Sequence, residues 1–336
     1  MDSSIFLLLL QDGVTTGAIY LLLAIGLLIV FSVTGVIFIP QGDFVSFAAL
    51  GFAATLQHQI PGTLWILDGA ALVCGALAWR GQLPRSDMAL ALLPALGVTA
   101  ATLAAVRWGA PTWLMGALAV MATALLGPPI YRLVFLPLAG SSVLVLLIVA
   151  MALHYVLLGA GLVLFGPEAS RTPAFSDSSF TIGPVDISGH SVWVLLCCTL
   201  LVASLTWLFR GTLLGKALRA TASNRLGARL MGIDAARTGA LAFLLAAAIG
   251  GLAGLLIAPM TPIAYDSGFT IGLKGFVAAV LGGLVSYPAA AIGALAVGVI
   301  ESLSSFWVSA YAAPIVFGLL LPALAVLSLR RPTETE

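Results

Sequence analysis

The chain has 336 residues, 61% hydrophobic and only 8% charged, with a formal net charge of +1. A soluble domain carries about 25% charged residues, so the composition excludes a soluble globular protein and points to a chain that crosses a membrane many times. The near-neutral balance gives no reason to expect nucleic acid as a partner.

In chain order, Met1-Asp2-Ser3-Ser4 lacks the basic start of a signal peptide. Residues 5–10 are apolar but too short to span, which suggests an interfacial segment. Residues 13–38 are long enough to cross, and Gly13 and Gly17 give them a GxxxG face for close helix approach. Pro40-Gln41-Gly42-Asp43 then breaks the pattern, because Pro40 removes a backbone donor and Gly42 frees the backbone. Residues 44–56 are short for a full crossing. A short helix beside a polar break is one way to build a membrane transport site. That makes Gln41, Gly42 and Phe44 candidates for a solute path.

Residues 61–79 and 88–106 are two further spans, joined by a link containing Arg80 and Arg85. Residues 113–131 and 143–165 follow, the latter with His154 near its middle. The polar loop 166–191 holds Glu168, Arg171, Asp177 and Asp186 with Pro167, Pro173 and Pro184. It reads either as a contact for an external partner or as an ordinary connection. Residues 192–209 form the next apolar run.

The stretch 215–233, GKALRATASNRLGARLMGI, is different. It is the long polar stretch without proline that could be helical outside the membrane. It carries Lys216, Arg219, Arg225 and Arg229 and no acid, and Arg210 and Arg237 flank it. At helical spacing Ala217, Ala220, Thr221, Asn224, Gly227 and Ala228 share one arc of about 120°, with Met231 inside it. A small-residue face on a short basic helix suits insertion into a groove of another protein. A solvated juxtamembrane helix fits the spacing equally well.

Residues 238–260 form another span with a GxxxG at Gly250 and Gly254, ended by Pro259 and Pro262. Residues 261–274 read as an outer loop, and Lys274, beside this second break, joins the solute-path candidates. Residues 276–285 are too short to span comfortably. Ala290, Ala294 and Gly298 repeat small residues every fourth position, a further packing face. Residues 314–329 form the last span, ending at Arg330-Arg331-Pro332.

Several of these motifs carry a family resemblance. Gly215-Lys216-Ala217-x-Arg219-Ala220, then Asn224, Ala228 and Gly232-Ile233, resembles the cytoplasmic coupling loop of ABC-importer permeases, the LivH-like branched-chain amino acid permeases above all. Gly17-x-Ile19-Tyr20-x-Leu22-x-Ala24-x-Gly26 is similar to the first helix of that family. The family continues Asn-Phe-Ala-His-Gly, where this chain has Phe38-Ile39-Pro40-Gln41-Gly42. Arg132 to Pro137 matches an Arg-x-x-x-x-Pro element, and the runs 273–283 and 298–305 match two more motifs in family order. The resemblance covers nearly the whole chain outside 61–106, which therefore reads as an inserted helical hairpin in one permease domain, 1–336.

The resemblance implies that the loop 210–237 docks on a separate ATPase, with Gly215, Ala217, Arg219, Ala220, Asn224, Ala228, Gly232 and Ile233 at the coupling site. It also implies a second permease subunit, identical or similar, two ATPase subunits, an external solute-binding protein, and the bacterial inner membrane. ATP and magnesium would sit on the ATPase. This chain's own nearest approach to a P-loop, Gly211-x-x-x-Gly215-Lys216-Ala217, is one residue short and has Ala where Ser or Thr should hold magnesium. The solutes implied are branched-chain amino acids and related small molecules such as amides.

With 210–237 in the cytoplasm, eleven of the fourteen Lys and Arg residues fall on that side, against Arg107, Arg171 and Lys274 on the other. This bias favours the orientation. The expected fold is an all-α polytopic transmembrane helix bundle of about ten to eleven spans including half-helices, with the N-terminus outside. Cys74, Cys197 and Cys198 lie in apolar runs without zinc spacing, and His58, His154 and His190 are far apart, so no metal site is readable. The intramembrane charges, the usual mark of ion coupling, are Asp68, His154 and Glu301. His154 reads as a hydrogen-bonded core histidine and Glu301 as an interhelical hydrogen-bond partner. A secondary transporter or channel would lean on such charges and needs no coupling loop. A membrane-embedded enzyme would need a convergent polar constellation, and none is legible.

Overall fold

The computed structural model describes residues 3–81, 84–176, 178–182, 185–284, 286–318 and 322. The chain is a polytopic helical bundle. Helix α1 (Ser3–Thr34) leads through a 3-10 turn (Ile39–Gly42) into α2 (Asp43–Leu56). Helices α3 (Gly62–Trp79) and α4 (Arg85–Trp108) form a hairpin, and α5 (Thr112–Ile130) runs on into a π-helical turn (Tyr131–Phe135). Helix α6 (Val143–Phe165) is followed by a small antiparallel pair, β1 (Ser179–Ile182) and β2 (Val185–Ser188), and then by α7 (Gly189–Gly211). Helices α8 (Leu213–Ser223) and α9 (Arg225–Leu230) precede α10 (Ala235–Ile257), α11 (Ser267–Leu281), α12 (Tyr287–Trp307) and α13 (Ala312–Gly318). Among the described residues, eight helices are long and apolar enough to cross a membrane, while α2 and α11 are shorter. Most of the span expected at 314–329, with Arg330 and Arg331, lies outside the described residues.

Helices α1 and α10 make the centre. Their most apolar windows are 78% and 72% buried, against 22% for α4 and α6 and 17% for α7, which form the flanks. Small residues bring the central helices together, as the GxxxG patterns led one to expect. A Cβ on Gly13 would meet Val299 Cα at 2.6 Å, and one on Gly17 would meet Ala294 O at 2.9 Å. Ala290 and Ala294 on the facing side of α12 are fully buried. Gly254 of α10 lies against the Val45 backbone of α2 in the same way.

The break after α1 is real. Gly35 takes φ +74°, and the chain turns back into the bundle through Phe38 to the 3-10 turn. There Gly42 meets Gly268 and Gly272 of α11 backbone to backbone; a Cβ on Gly42 would come within 3.0 Å of both. Phe38, Phe44, Phe135 and Phe243 pack their rings around this junction at centroid distances of 4.8–5.9 Å.

One end of the bundle gathers the basic residues. Arg225 lies with Thr34, Tyr131 and Leu146, Arg229 with Leu136 and Asp234, and Arg132 with Arg237. Arg171 sits at the opposite end, where its Nε donates to Pro259 O at 2.9 Å.

Three expectations are corrected. Residues 5–10 are not a separate interfacial segment but the first turns of the continuous helix α1, in which Gly13 is a packing site. Residues 261–274 are not a loop throughout: α11 begins at Ser267 and carries Lys274 within the bundle, where Glu301 pairs with it. The basic stretch 215–233 is not one helix: Asn224 is extended (φ −152°, ψ 100°) and divides α8 from α9.

Candidate functional site

A cavity of about 510 Å³ opens between α1, α11, α12 and the turn after α10. Each wall follows from helical spacing. Asp12, Thr16 and Tyr20 stand four apart on one face of α1, and Ser267, Thr270, Ile271 and Lys274 share a face of α11. Glu301 comes from α12, and Ile257, Met260 and Ile263 supply an apolar side.

The polar groups are organised around Glu301. Tyr20 Oη donates to its Oε2 at 2.7 Å, and Lys274 Nζ donates to its Oε1 at 2.5 Å. Lys274 Nζ also lies 5.7 Å from the centre of the Tyr20 ring, within reach of a cation–π attraction. Next to Glu301, Ser302 Oγ lies 2.8 Å from Leu9 O and 3.2 Å from Asp12 Oδ2. The lining therefore has three carboxylates, Asp12, Asp266 and Glu301, against one cation, Lys274. The acidic excess of the lining suits a positive group, and its one ammonium, Lys274, is held by Glu301.

Of the four residues expected on the solute path, the structure puts Lys274 in the cavity and the other three elsewhere. Gln41 and Phe44 are fully buried and Gly42 is packed on α11. Gln41 Nε2 donates to Ala246 O at 2.8 Å, and its Oε1 is buried with no partner among the described residues. The polar break thus serves as a packing junction between α1, α2, α10 and α11. Asp12, Thr16 and Tyr20 escaped the sequence reading because cutting the first helix at Gly13 hid their four-residue spacing.

The residues expected at the coupling site divide into shape and surface. Thr212 caps α8, accepting from Gly215 N at 3.0 Å, and a Cβ on Gly215 would run into the Leu208 carbonyl. Asn224 caps α9 by accepting from Gly227 N at 2.8 Å. Gly232, at φ +82°, ends it, with Ile233 N donating to Ala228 O at 2.9 Å. Ala217, Ala220 and Ile233 are half-buried and Arg219 is exposed. Ala228 is 5% exposed, and Thr221 is buried beside Thr238. The small-residue arc therefore faces this chain's own bundle in part, rather than presenting a free groove-filling face. The exposed side carries Lys216, Arg219, Arg229, Leu226, Leu230 and Met231, the last two 80% and 83% exposed.

Residues 81–328 match the family described as the permease component of branched-chain amino acid transport systems. The chain belongs to this family. It is 28% identical over 339 residues to the high-affinity branched-chain amino acid transport system permease protein LivH of Salmonella typhimurium, covering 96% of this chain and 94% of the relative. LivH of Escherichia coli K12 gives 28% over 334 residues with the same coverage. BraD of Pseudomonas aeruginosa, described in the same terms, gives 26% over 331 residues, covering 96% of this chain and 93% of the relative. No solved structure gives a significant match. The LivH-like resemblance read from the motifs thus holds along the chain, and membership makes the protein a multi-pass transport permease.

Proposed function

We propose that the chain is the membrane-spanning subunit of an ATP-driven importer for branched-chain amino acids or related small solutes, in the bacterial inner membrane. It pairs with a second permease subunit, identical or similar, and with two ATPase subunits that carry ATP and magnesium. An external solute-binding protein delivers the solute. The observation that carries this reading is the near end-to-end similarity to permeases named for high-affinity branched-chain amino acid transport.

The cavity supports the solute class. Its acidic groups, Asp12 and Asp266, suit an ammonium; Lys274 suits a carboxylate; and Ile257, Met260 and Ile263 suit an aliphatic side chain. Gln41, Gly42 and Phe44 act in this reading at one remove, by fixing the junction on which α11 and its lysine sit. The stretch 210–237 lies in the cytoplasm, where its exposed basic and apolar side chains meet the ATPase, and closure of the ATPase pair is passed on through α8 and α9. Residues 61–106 are a hairpin added to the core.

The test is reconstitution. The chain is placed in liposomes with its genomic neighbours for ATPase and binding protein, and uptake of radiolabelled leucine is followed with and without ATP. Uptake that needs ATP and the binding protein is the expected result. Accumulation by the chain alone would overturn it in favour of a secondary transporter, for which the buried Asp43–His154 pair would be the coupling candidate.

A further inference from the structure

Arg225 stands at the wrong end of its helix. Peptide dipoles favour a cation in the last turn of a helix and disfavour one in the first, yet Arg225 is the first residue of α9, directly after the cap Asn224. Its side chain turns back under the bundle and lines a space of about 10 Å³ with Thr34, Tyr131, Phe135 and Leu146. One side chain of the basic stretch therefore shares a space with the end of α1, the π-helical turn after α5, and α6.

Two polar atoms in that space are unmatched. Arg225 Nε and Tyr131 Oη are both buried, and neither has a hydrogen-bond partner among the described residues. Tyr131 is 1% exposed, and its place is fixed from behind. A Cβ on Gly239 of α10 would run into the hydroxyl, and the Phe243 ring packs on the phenol ring at 5.1 Å. Thr34 Oγ1, by contrast, donates to Val30 O at 2.7 Å within its own helix. Buried polar atoms are nearly always paired, so two orphans lining one small space call for an explanation. A space of this size admits about one water. Two arrangements would satisfy both atoms: a water bridging them where they stand, or a step of α9 towards the π-helical turn that expels the water and lets Nε donate directly to Oη.

We infer that Arg225 is a positioning residue of the transport cycle, carrying movement of α9 into the bundle by passing between these two arrangements. This rests on the reading of α8 and α9 as the ATPase contact. Coupling between distant sites needs an element with two discrete states, joined to rigid parts. Tyr131 supplies one such joint, to α10 at Gly239. Thr34 supplies the other, as the last residue of the continuous helix α1. Tyr20, on the wall of the large cavity, lies about 21 Å along that same helix at 1.5 Å per residue.

The experiment compares the parent with Tyr131→Phe, Arg225→Gln and the double variant, each as the full chain in liposomes with the neighbouring ATPase and binding protein. Thermal stability, ATPase binding and leucine taken up per ATP hydrolysed are measured together. Removing an unpartnered buried hydroxyl does not loosen the fold, so Tyr131→Phe should melt at or above the parental temperature and bind the ATPase as the parent does. Uptake per ATP should nonetheless fall about tenfold, the factor for one charge-assisted hydrogen bond made in only one of two states. Arg225→Gln should fall by a similar factor and the double variant no further, because both changes remove the same bond. A second readout needs no solute: with a non-hydrolysable ATP analogue on the ATPase, amide hydrogen exchange over 131–135 should slow in the parent and not in Tyr131→Phe. A parental ratio and parental exchange in Tyr131→Phe would overturn the inference, and so would losses that multiply to about a hundredfold in the double variant. Either result leaves the importer reading standing so long as parental uptake needs ATP; uptake by the parent without the ATPase would overturn both. Tyr131→Phe keeps the test open should Arg225→Gln fail to fold.

Discussion

Two of the acid–base pairs among the described residues join one helix to another, and they differ in what they face. His154 Nδ1 of α6 lies 2.9 Å from Asp43 at the start of α2, with both side chains 4% exposed. Phe269 of α11 stacks on the imidazole at 4.4 Å. The carboxylate also stands in the first turn of its helix, where the peptide dipoles favour an anion. Lys274 and Glu301 join α11 to α12, with side chains 13% and 19% exposed on the wall of the large cavity. The sealed pair ties the flank helix α6 to the junction at Gly42; the open pair faces the large cavity. A charge inside a membrane is therefore informative through its surroundings more than through its presence. The coupling stretch repeats the contrast over four residues, with Ala228 turned inward and Leu230 and Met231 outward.

The largest effect on the stability of the isolated chain should come from breaking the sealed pair. Asp43→Ala leaves His154 buried without its partner, and removing one member of a buried pair costs about 3–5 kcal/mol. The double substitution Asp43→Asn with His154→Gln keeps a polar contact and should recover at least half of the loss. Thermal unfolding of the detergent-solubilised protein measures both. If Asp43→Ala unfolds at the parent temperature, the pair is not a structural tie.

Next comes the inward side of the coupling stretch. Ala228→Trp must find room where the alanine is 5% exposed, and overpacking costs about 1–3 kcal/mol. The same variant should weaken the ATPase contact only indirectly, by shifting α9. Co-purification of the ATPase that falls with no change in thermal stability would instead place Ala228 itself at the contact.

Smaller still in stability is Glu301→Gln on the open pair. The amide oxygen can still accept from Lys274 while the amide nitrogen donates to the Tyr20 hydroxyl oxygen, so the expected cost is about 1 kcal/mol. Uptake should fall much further, about tenfold, which corresponds to 1.4 kcal/mol, because the neutral side chain leaves the Lys274 charge uncompensated on the cavity wall. The contrast with Asp43→Ala is the point of the experiment: one variant loses fold, the other function. Glu301→Gln with parental uptake would remove the cavity from the solute path.

Much of the fold was legible in the sequence because membrane spans announce themselves by length and composition. The small residues at Gly13, Gly17, Ala290, Ala294 and Gly254 also announced close packing, and each lies at a tight interface. The site was harder to read. Lys274 and the acid at position 12 made their segments look like loop and boundary, since a lone charge interrupts a hydrophobic run. What partners them is tertiary: Glu301 is 27 residues from Lys274, and Ser302, which donates to Asp12, is 290 residues from it. Gln41 differs in the opposite direction: a polar residue at a helix break, expected on the solute path, is fully buried outside the large cavity and donates to Ala246 O. In the coupling stretch, the motif residues Gly215, Asn224 and Gly232 set turns, caps and stops.

The smallest expected change in stability lies on the outward side of that stretch, and it separates shape from contact most sharply. Leu230 and Met231 are 80% and 83% exposed in the single chain, so Leu230→Ser with Met231→Ser removes little packing. Surface substitutions of this kind stay within about 0.5 kcal/mol. An ATPase seated on α9 would cover both side chains, together with Leu226 and the guanidinium of Arg229. Burying a leucine-sized side chain is worth roughly 1.5–3 kcal/mol, so the double variant should bind the ATPase at least about tenfold more weakly. The measurement is titration of the purified ATPase against nanodisc-embedded chain, with solute-stimulated hydrolysis read in the same samples. Arg225→Gln, a half-buried position facing Tyr131 and Thr34, serves as the control on the inward side. Equal loss from both variants would mean that α9 responds as a block, and parental binding by the double variant would move the ATPase off this face altogether.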